Sequence, residues 1–193
     1  MRGPRWAASR SGFCGSGRKP RFTPSSRIPR SRESLCTLAE SHPRLHVLPY
    51  ALSDESSTAA FHVTRRKTSS SLLVPTEKNL SYHPTDLLVE EKIEVETRRL
   101  DDLDVPGEVD LLKLDLQGGE LRALRGAPRT LRSTGVVTVE VEFVELYEHQ
   151  PLFADIDLEL RGHGFELFNL YELYTQPDGQ LTAGDAIYIN KAR

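Results

Sequence analysis

No run among the 193 residues approaches the roughly 20 apolar positions that a membrane-spanning helix needs, which excludes a helical span. Cysteine is scarce as well. Cys14 and Cys36 lie far apart, with no Cys-x-x-Cys pair and no His-Cys cluster, so neither a zinc site nor a disulfide framework is indicated. A reducing cytoplasm is the expected compartment. The third absence is local: residues 1 to 32 contain no acidic side chain but nine basic ones, from Arg2 to Arg32. The remainder therefore carries 16 basic against 28 acidic residues, and the net charge of -3 hides a strongly basic leader ahead of an acidic body. That leader is rich in Ser, Gly and Pro and follows no apolar period, so it is expected not to pack by itself.

What is present is enough for one globular domain with a real core, at 38% apolar and 27% charged residues. From Leu38 short apolar runs alternate with helical patterns, which is how a βαβ architecture reads in sequence. Strands are expected over 45–50, 59–64, 93–99, 109–116, 136–141, 165–170 and 186–190. Residues 65–83, with Ser69-Ser70-Ser71 in the middle, read as a surface loop. Leu111, Leu112, Leu114 and Leu116 around Lys113 and Asp115 suggest a strand covered on both faces and placed mid-sheet. Glu120 opens a helix that presents Leu121, Leu124, Pro128 and Leu131 inward, its acidic start complementing the helix dipole. Pro151 leads a second helix, with Leu152, Ile156 and Leu160 inward, stopped by Gly162 and Gly164.

The string from Asp110 through Ala127 carries the chemistry: a buried strand that delivers Asp115 at its carboxyl end, a Gly118-Gly119 turn, then a helix. In open α/β sheets ligands bind beyond the carboxyl ends of the strands. A carboxylate there can hold an ammonium, ligate a divalent cation, or take a proton from an attacking hydroxyl, and sequence leaves the three open. The bland alternative is that Asp115 caps the following helix.

Lys113-Leu-Asp115-Leu-Gln-Gly118-Gly-Glu120, closing on Leu124-Arg-Gly126-Ala127, resembles the signature of the FkbM family of methyltransferases, Lys-Ile-Asp-Val-Glu-Gly-x-Glu followed by Val-Leu-x-Gly-Ala. Further pieces match in order: Tyr50-Ala-Leu-Ser-Asp54, Ala59 to Val63, Ser69 to Leu72, Val139 to Glu142, Leu146-Tyr147-Glu148, Gln150 to Phe153, and Asp185 to Ile189. The resemblance covers about 34–191. It implies an α/β fold, a Rossmann-like class I methyltransferase sandwich with a mostly parallel sheet. It also implies methyl transfer from S-adenosylmethionine, usually to a hydroxyl on a sugar or secondary metabolite. Carried over by position, Asp115, Glu120 and Glu140 are the catalytic candidates, with Glu142 on the same rim. Ala51, Leu52, Ser70, Ser71, Asp115 and Gln117 are the cofactor-binding candidates. Gln117 stands where the family usually has Glu, which removes a negative charge and weakens any metal hypothesis, so no metal is expected. His62 and His149 are the histidines to test as bases, although each is expected at the surface.

Class I methyltransferases open with a strand and a glycine loop, and neither is legible here. Gly15-Ser16-Gly17 follows no apolar run, and Pro20 blocks the helix that should follow. The expected fold therefore lacks its first one or two strands, with a disordered segment at 1–33 and a truncated domain at 34–193 that binds cofactor weakly or not at all. A targeting presequence, a basic arm for anionic partners, or an out-of-frame reading would each account for residues 1–33, and the last accounts for most. The rival function is a non-catalytic remnant that uses the basic arm to hold an anionic partner. The expected partner is a small-molecule or glycan hydroxyl acceptor, with neither membrane nor nucleic acid.

Overall fold

The computed structural model describes residues 47–104 and 107–192, together with Thr37, Glu40 and Ser41. The basic leader, and with it the expected disorder of 1–33, lies outside the described residues. Two sheets form. The first has the order β1-β3-β2, from β1 (Ala51–Leu52), β2 (Ser57–Thr64) and β3 (Val89–Arg98). The second has the order β4-β5-β7-β6, from β4 (Val109–Leu114), β5 (Thr134–Glu142), β6 (Phe165–Thr175) and β7 (Leu181–Asn190).

The expected mostly parallel sheet is corrected here. Only β1 with β3 and β4 with β5 run parallel; β2 with β3, β5 with β7 and β6 with β7 are antiparallel. The reason is the length of the connections. A parallel pair needs a crossover of a dozen or more residues, usually helical. Between β4 and β5 that crossover exists, as α2 (Glu120–Arg125) and α3 (Pro128–Arg132). Between β6 and β7 only Gln176 to Gln180 intervene, and the turn is closed by the Gly179 N–H donating to Gln176 C=O at 2.8 Å. The chain can only double back. Nor is β4 mid-sheet among the described residues: it pairs with β5 alone and stands at the sheet's edge.

The segment expected as a loop over 65–83 also contains order. A 3-10 turn spans Lys67–Ser69, and α1 runs over Glu77–Tyr82, where Thr76 Oγ1 caps the helix by accepting the Asn79 N–H at 3.2 Å. Six residues carry too little apolar periodicity to show in sequence.

One apolar core lies under the second sheet. Every other residue of β5 points into it, with Val137, Val139 and Val141 wholly buried. Facing them are Leu112 and Leu114 of β4, Leu124 and Leu131 of the crossover, and Ile156 and Leu160 of α4 (Phe153–Gly162). Each such side chain contributes about 1.5–3 kcal/mol through burial. The single helix expected after Glu120 is broken at Gly126-Ala127, and Pro128 opens the second piece at a position where a missing N–H costs nothing. This packing holds the carboxyl ends of β4 and β5 side by side, and the candidate site lies there.

Candidate functional site

Asp115 is the first residue beyond β4, and the residue is 5% exposed. Its surroundings are polar rather than apolar. Gln117 Nε2 donates to Asp115 Oδ1 at 3.1 Å, and the same nitrogen donates to Glu140 Oε2 at 2.5 Å. A primary amide has two N–H groups, so one glutamine can tie two carboxylates from adjacent parallel strands. The other end of that amide accepts from Tyr147 O–H at 3.1 Å, which also points at Ser69 C=O. Gln117 adopts φ of 54° and Gly118 of 95°. Only glycine takes the second at no steric cost, and the reversal turns the chain sharply enough for Gln117 to fold back over Asp115.

Glu120 opens α2 with 1% exposure, and its Oε1 accepts the Leu116 N–H at 2.5 Å. Glu142, the last residue of β5, is 4% exposed. Four carboxylates therefore converge. Burial raises the pKa of Glu120 to about 7, with the Asp115 charge adding to the rise and backbone N–H groups opposing it. Burial also lifts Glu142 well above the ordinary value, followed by repulsion from Glu120 and Glu140. Lys113 Nζ stands 3.9 Å from Asp115 Oδ2, half in solvent. Glu120 and Glu142 therefore hold a proton more readily than an ordinary carboxyl, a property that acid-base work uses.

A strap crosses this cluster. Ser71 Oγ donates to Gln117 C=O at 2.7 Å, Thr76 N–H to Leu146 C=O at 2.9 Å, and Glu148 N–H to Val74 C=O at 2.8 Å. Residues 69–76 are thereby bound to the two loops that follow β4 and β5. Ser70 is engaged with β2 instead, its Oγ accepting the Thr64 N–H at 3.1 Å.

The expected site residues are thus divided. Asp115, Gln117, Glu120 and Glu140 come together, and Ser71 covers them. Ala51 and Leu52 do not join. Leu52 is part of the apolar core, and the carbonyl of the next residue, Ser53, lies against Gly126 at the far end of α2 from Glu120. His149 is exposed on a left-handed turn, its N–H donating to Glu145. His62 sits in β2 with its backbone paired to Ser71 and a buried Nδ1 that has no hydrogen-bond partner. Sequence reasoning gave Tyr147 and Gln150 no role at the site. The signal was their place in the pieces after β5 that match the family pattern, since neither follows a period.

Among the described residues no group of three or more His, Cys, Asp or Glu side chains has the geometry to hold a metal ion. No described helix is long and apolar enough to cross a membrane. A hollow of about 340 Å³ lined by Arg125, Asp155, Glu159 and His163 lies elsewhere, between α2 and α4. Glu159 already holds Arg125 at 3.2 Å and His163 at 3.3 Å across it.

Comparison with known proteins bears on this arrangement. The model of the methyltransferase FkbM domain matches residues 18–167, beginning ahead of the boundary expected at 34. The chain is 43% identical over 70 residues to the 2-O-methyltransferase NoeI of Sinorhizobium fredii, a match covering 34% of this chain and 29% of that protein. The chain thus matches less than a third of the length of that curated relative. A solved structure of the magnesium protoporphyrin IX methyltransferase of Synechocystis with bound S-adenosylmethionine shares 12% identity. It covers 60% of this chain and 52% of that one, with a TM-score of 0.35.

Proposed function

Because the chain belongs to the FkbM methyltransferase family, we propose that it transfers a methyl group from S-adenosylmethionine to a hydroxyl oxygen of a sugar or secondary metabolite. The observation that carries this is the pairing of Asp115 and Glu140 through Gln117 at the carboxyl ends of two adjacent parallel strands. S-adenosylmethionine brings two positive centres, an ammonium and a sulfonium. An acidic site, with Asp115 and Glu140 tied together by Gln117, is chemically fitted to that charge, and the cofactor supplies a methyl carbon that needs no activation by the protein.

What remains for this chain is to hold, align and deprotonate. Asp115, fixed by Gln117, is suited to the ammonium. In the reaction the acceptor oxygen bonds the methyl carbon as the carbon-sulfur bond breaks, and the electron pair stays on sulfur. The hydroxyl proton must then go to the protein. Glu120, with its pKa raised to about 7, is the carboxylate whose proton affinity suits that role, since a base works best with a pKa near the working pH. Glu140 orients the acceptor, and Ser71 with the strap excludes water. The compartment in this reading is the cytoplasm.

The experiment is incubation with S-adenosylmethionine labelled in the methyl group and a panel of glycosides. The reading predicts label in a glycoside product that withstands mild alkali, as a methyl ether does, and that is lost in Asp115→Asn. Label found only as an alkali-labile ester, or none with any hydroxyl acceptor, would overturn it.

A further inference from the structure

We propose that Tyr147 is a positioning residue: its hydroxyl holds the Gln117 amide in the one orientation that serves Asp115 and Glu140 together. The inference rests on the methyltransferase reading and deepens it by naming the group outside the acidic cluster that keeps the carboxylate pair in place.

A glutamine amide can sit two ways, with oxygen and nitrogen exchanged, and the groups around it decide which. Here Nε2 donates to Asp115 Oδ1 at 3.1 Å and to Glu140 Oε2 at 2.5 Å. Turning the amide would set its oxygen against two carboxylates. At the opposite end Tyr147 O–H donates to Oε1 at 3.1 Å. That bond does more than fill a lone pair, because hydrogen bonds in a chain polarise one another and an amide whose oxygen accepts is a stronger donor at nitrogen.

Tyr147 is built to deliver this hydroxyl to a fixed point. The residue is 3% exposed, its N–H donates to Gln150 Oε1 at 2.8 Å, and its C=O accepts the Gln150 N–H at 3.2 Å. Its backbone also bridges to Pro75 of the strap. A ring with two rotatable bonds, held in this way, has little freedom left. The same hydroxyl reaches Ser69 C=O at 3.0 Å. One phenol has one proton, so Ser69 and Gln117 share it, and the strap is tied to the carboxylate pair through that proton. Phenylalanine would fill the same space and supply neither bond.

The test follows the two Nε2 protons of Gln117 in the full chain by NMR, assigned through their loss in Gln117→Met, and measures their exchange with water. Tyr147→Phe keeps the ring and should speed that exchange about tenfold, the effect of one hydrogen bond. Should Tyr147→Phe fail to fold, 3-fluorotyrosine at position 147 donates more strongly and should slow the exchange instead. Exchange unchanged by the substitution would show that the ring acts by packing alone, and the proposal would be overturned. S-adenosylhomocysteine is titrated in parallel by calorimetry. Acting through Gln117 means that Tyr147→Phe, Gln117→Met and the double variant each lose about tenfold in affinity, whereas a loss of about a hundredfold in the double variant, as for independent sites, would overturn the proposal. A native chain that does not bind the nucleoside strikes the methyltransferase reading, and the amide protons then decide alone whether Tyr147 holds Gln117.

Discussion

The two ends of α2, six residues apart, are built on opposite principles. At its amino end Glu120 is buried with three other carboxylates around it, each raising the cost of the next charge. At its carboxyl end the polar groups of Asp101, Gly126 and Thr130 find partners. Gly126 lets the chain pass so close that an added Cβ would lie 2.1 Å from Ser53 O and 3.3 Å from Arg99 Cα. Asp101 N–H donates to Gly126 C=O, and the Asp101 carboxylate accepts from Arg129 N–H, Thr130 N–H and Thr130 O–H at 2.7 to 2.9 Å. One end stores electrostatic strain and the other removes it. In a protein selected for stability alone both ends would resemble the second, and the difference marks the first as the place where chemistry is done.

Breaking the quiet end should have the largest effect. Gly126→Ala forces backbone apart from backbone, which no side-chain rotation relieves, and should cost about 3 kcal/mol, the upper part of the range for overpacking. Urea unfolding measures it; a midpoint within error of native would remove the close approach from the account. The glycine is required here by space, since its φ of -80° is open to any residue.

The strained end should show itself through pH. A carboxyl whose folded pKa is raised from 4.5 to about 7 contributes stability that is full below the unfolded value and lost as pH rises through 7. Stability from Glu120 should therefore fall between about pH 5 and 7, on the order of 1 kcal/mol per pH unit. Glu120→Gln, which keeps an oxygen for the Leu116 N–H, should flatten that slope and raise the melting temperature at pH 8. A native melting temperature that climbs steadily from pH 5 to 8 would contradict the buried cluster.

Asp101 should behave in the opposite sense. Burial works against its charge, but the bonds from Arg129 and Thr130 outweigh it and hold the carboxyl below its usual range. Its contribution is present above the unfolded pKa and disappears as pH falls through the folded one. Asp101→Ala should cost about 1 kcal/mol at pH 7, as loss of a helix cap does, and less below pH 3. Equal loss at both pH values would show that the residue acts by packing.

Much of this contrast is legible before any coordinates. The strand ending at Asp115, the glycine turn and Glu120 carry their own signal, because an apolar run, two glycines and an acidic helix start permit few other local structures. The family signature joins Gly126 to them. What sequence does not show is arrangement. The turn at Pro177-Asp178-Gly179 announces a hairpin, and the expectation of a mostly parallel sheet neglects it. The edge position of β4 depends on which strand lies beside it, and Gln150 becomes visible only once the loop after β5 folds its amide under the strap. Ala51 and Leu52, which the family pattern places at the cofactor, belong to a different sheet from the carboxylates.

The central claim is that Asp115 faces the positive end of the cofactor. Titration calorimetry with S-adenosylhomocysteine, which carries the same ammonium, tests it on the native chain and on Asp115→Asn matched for melting temperature. The account predicts a loss of about tenfold or more on substitution, as for a hydrogen bond to a charged group. Equal dissociation constants for the two proteins would contradict it.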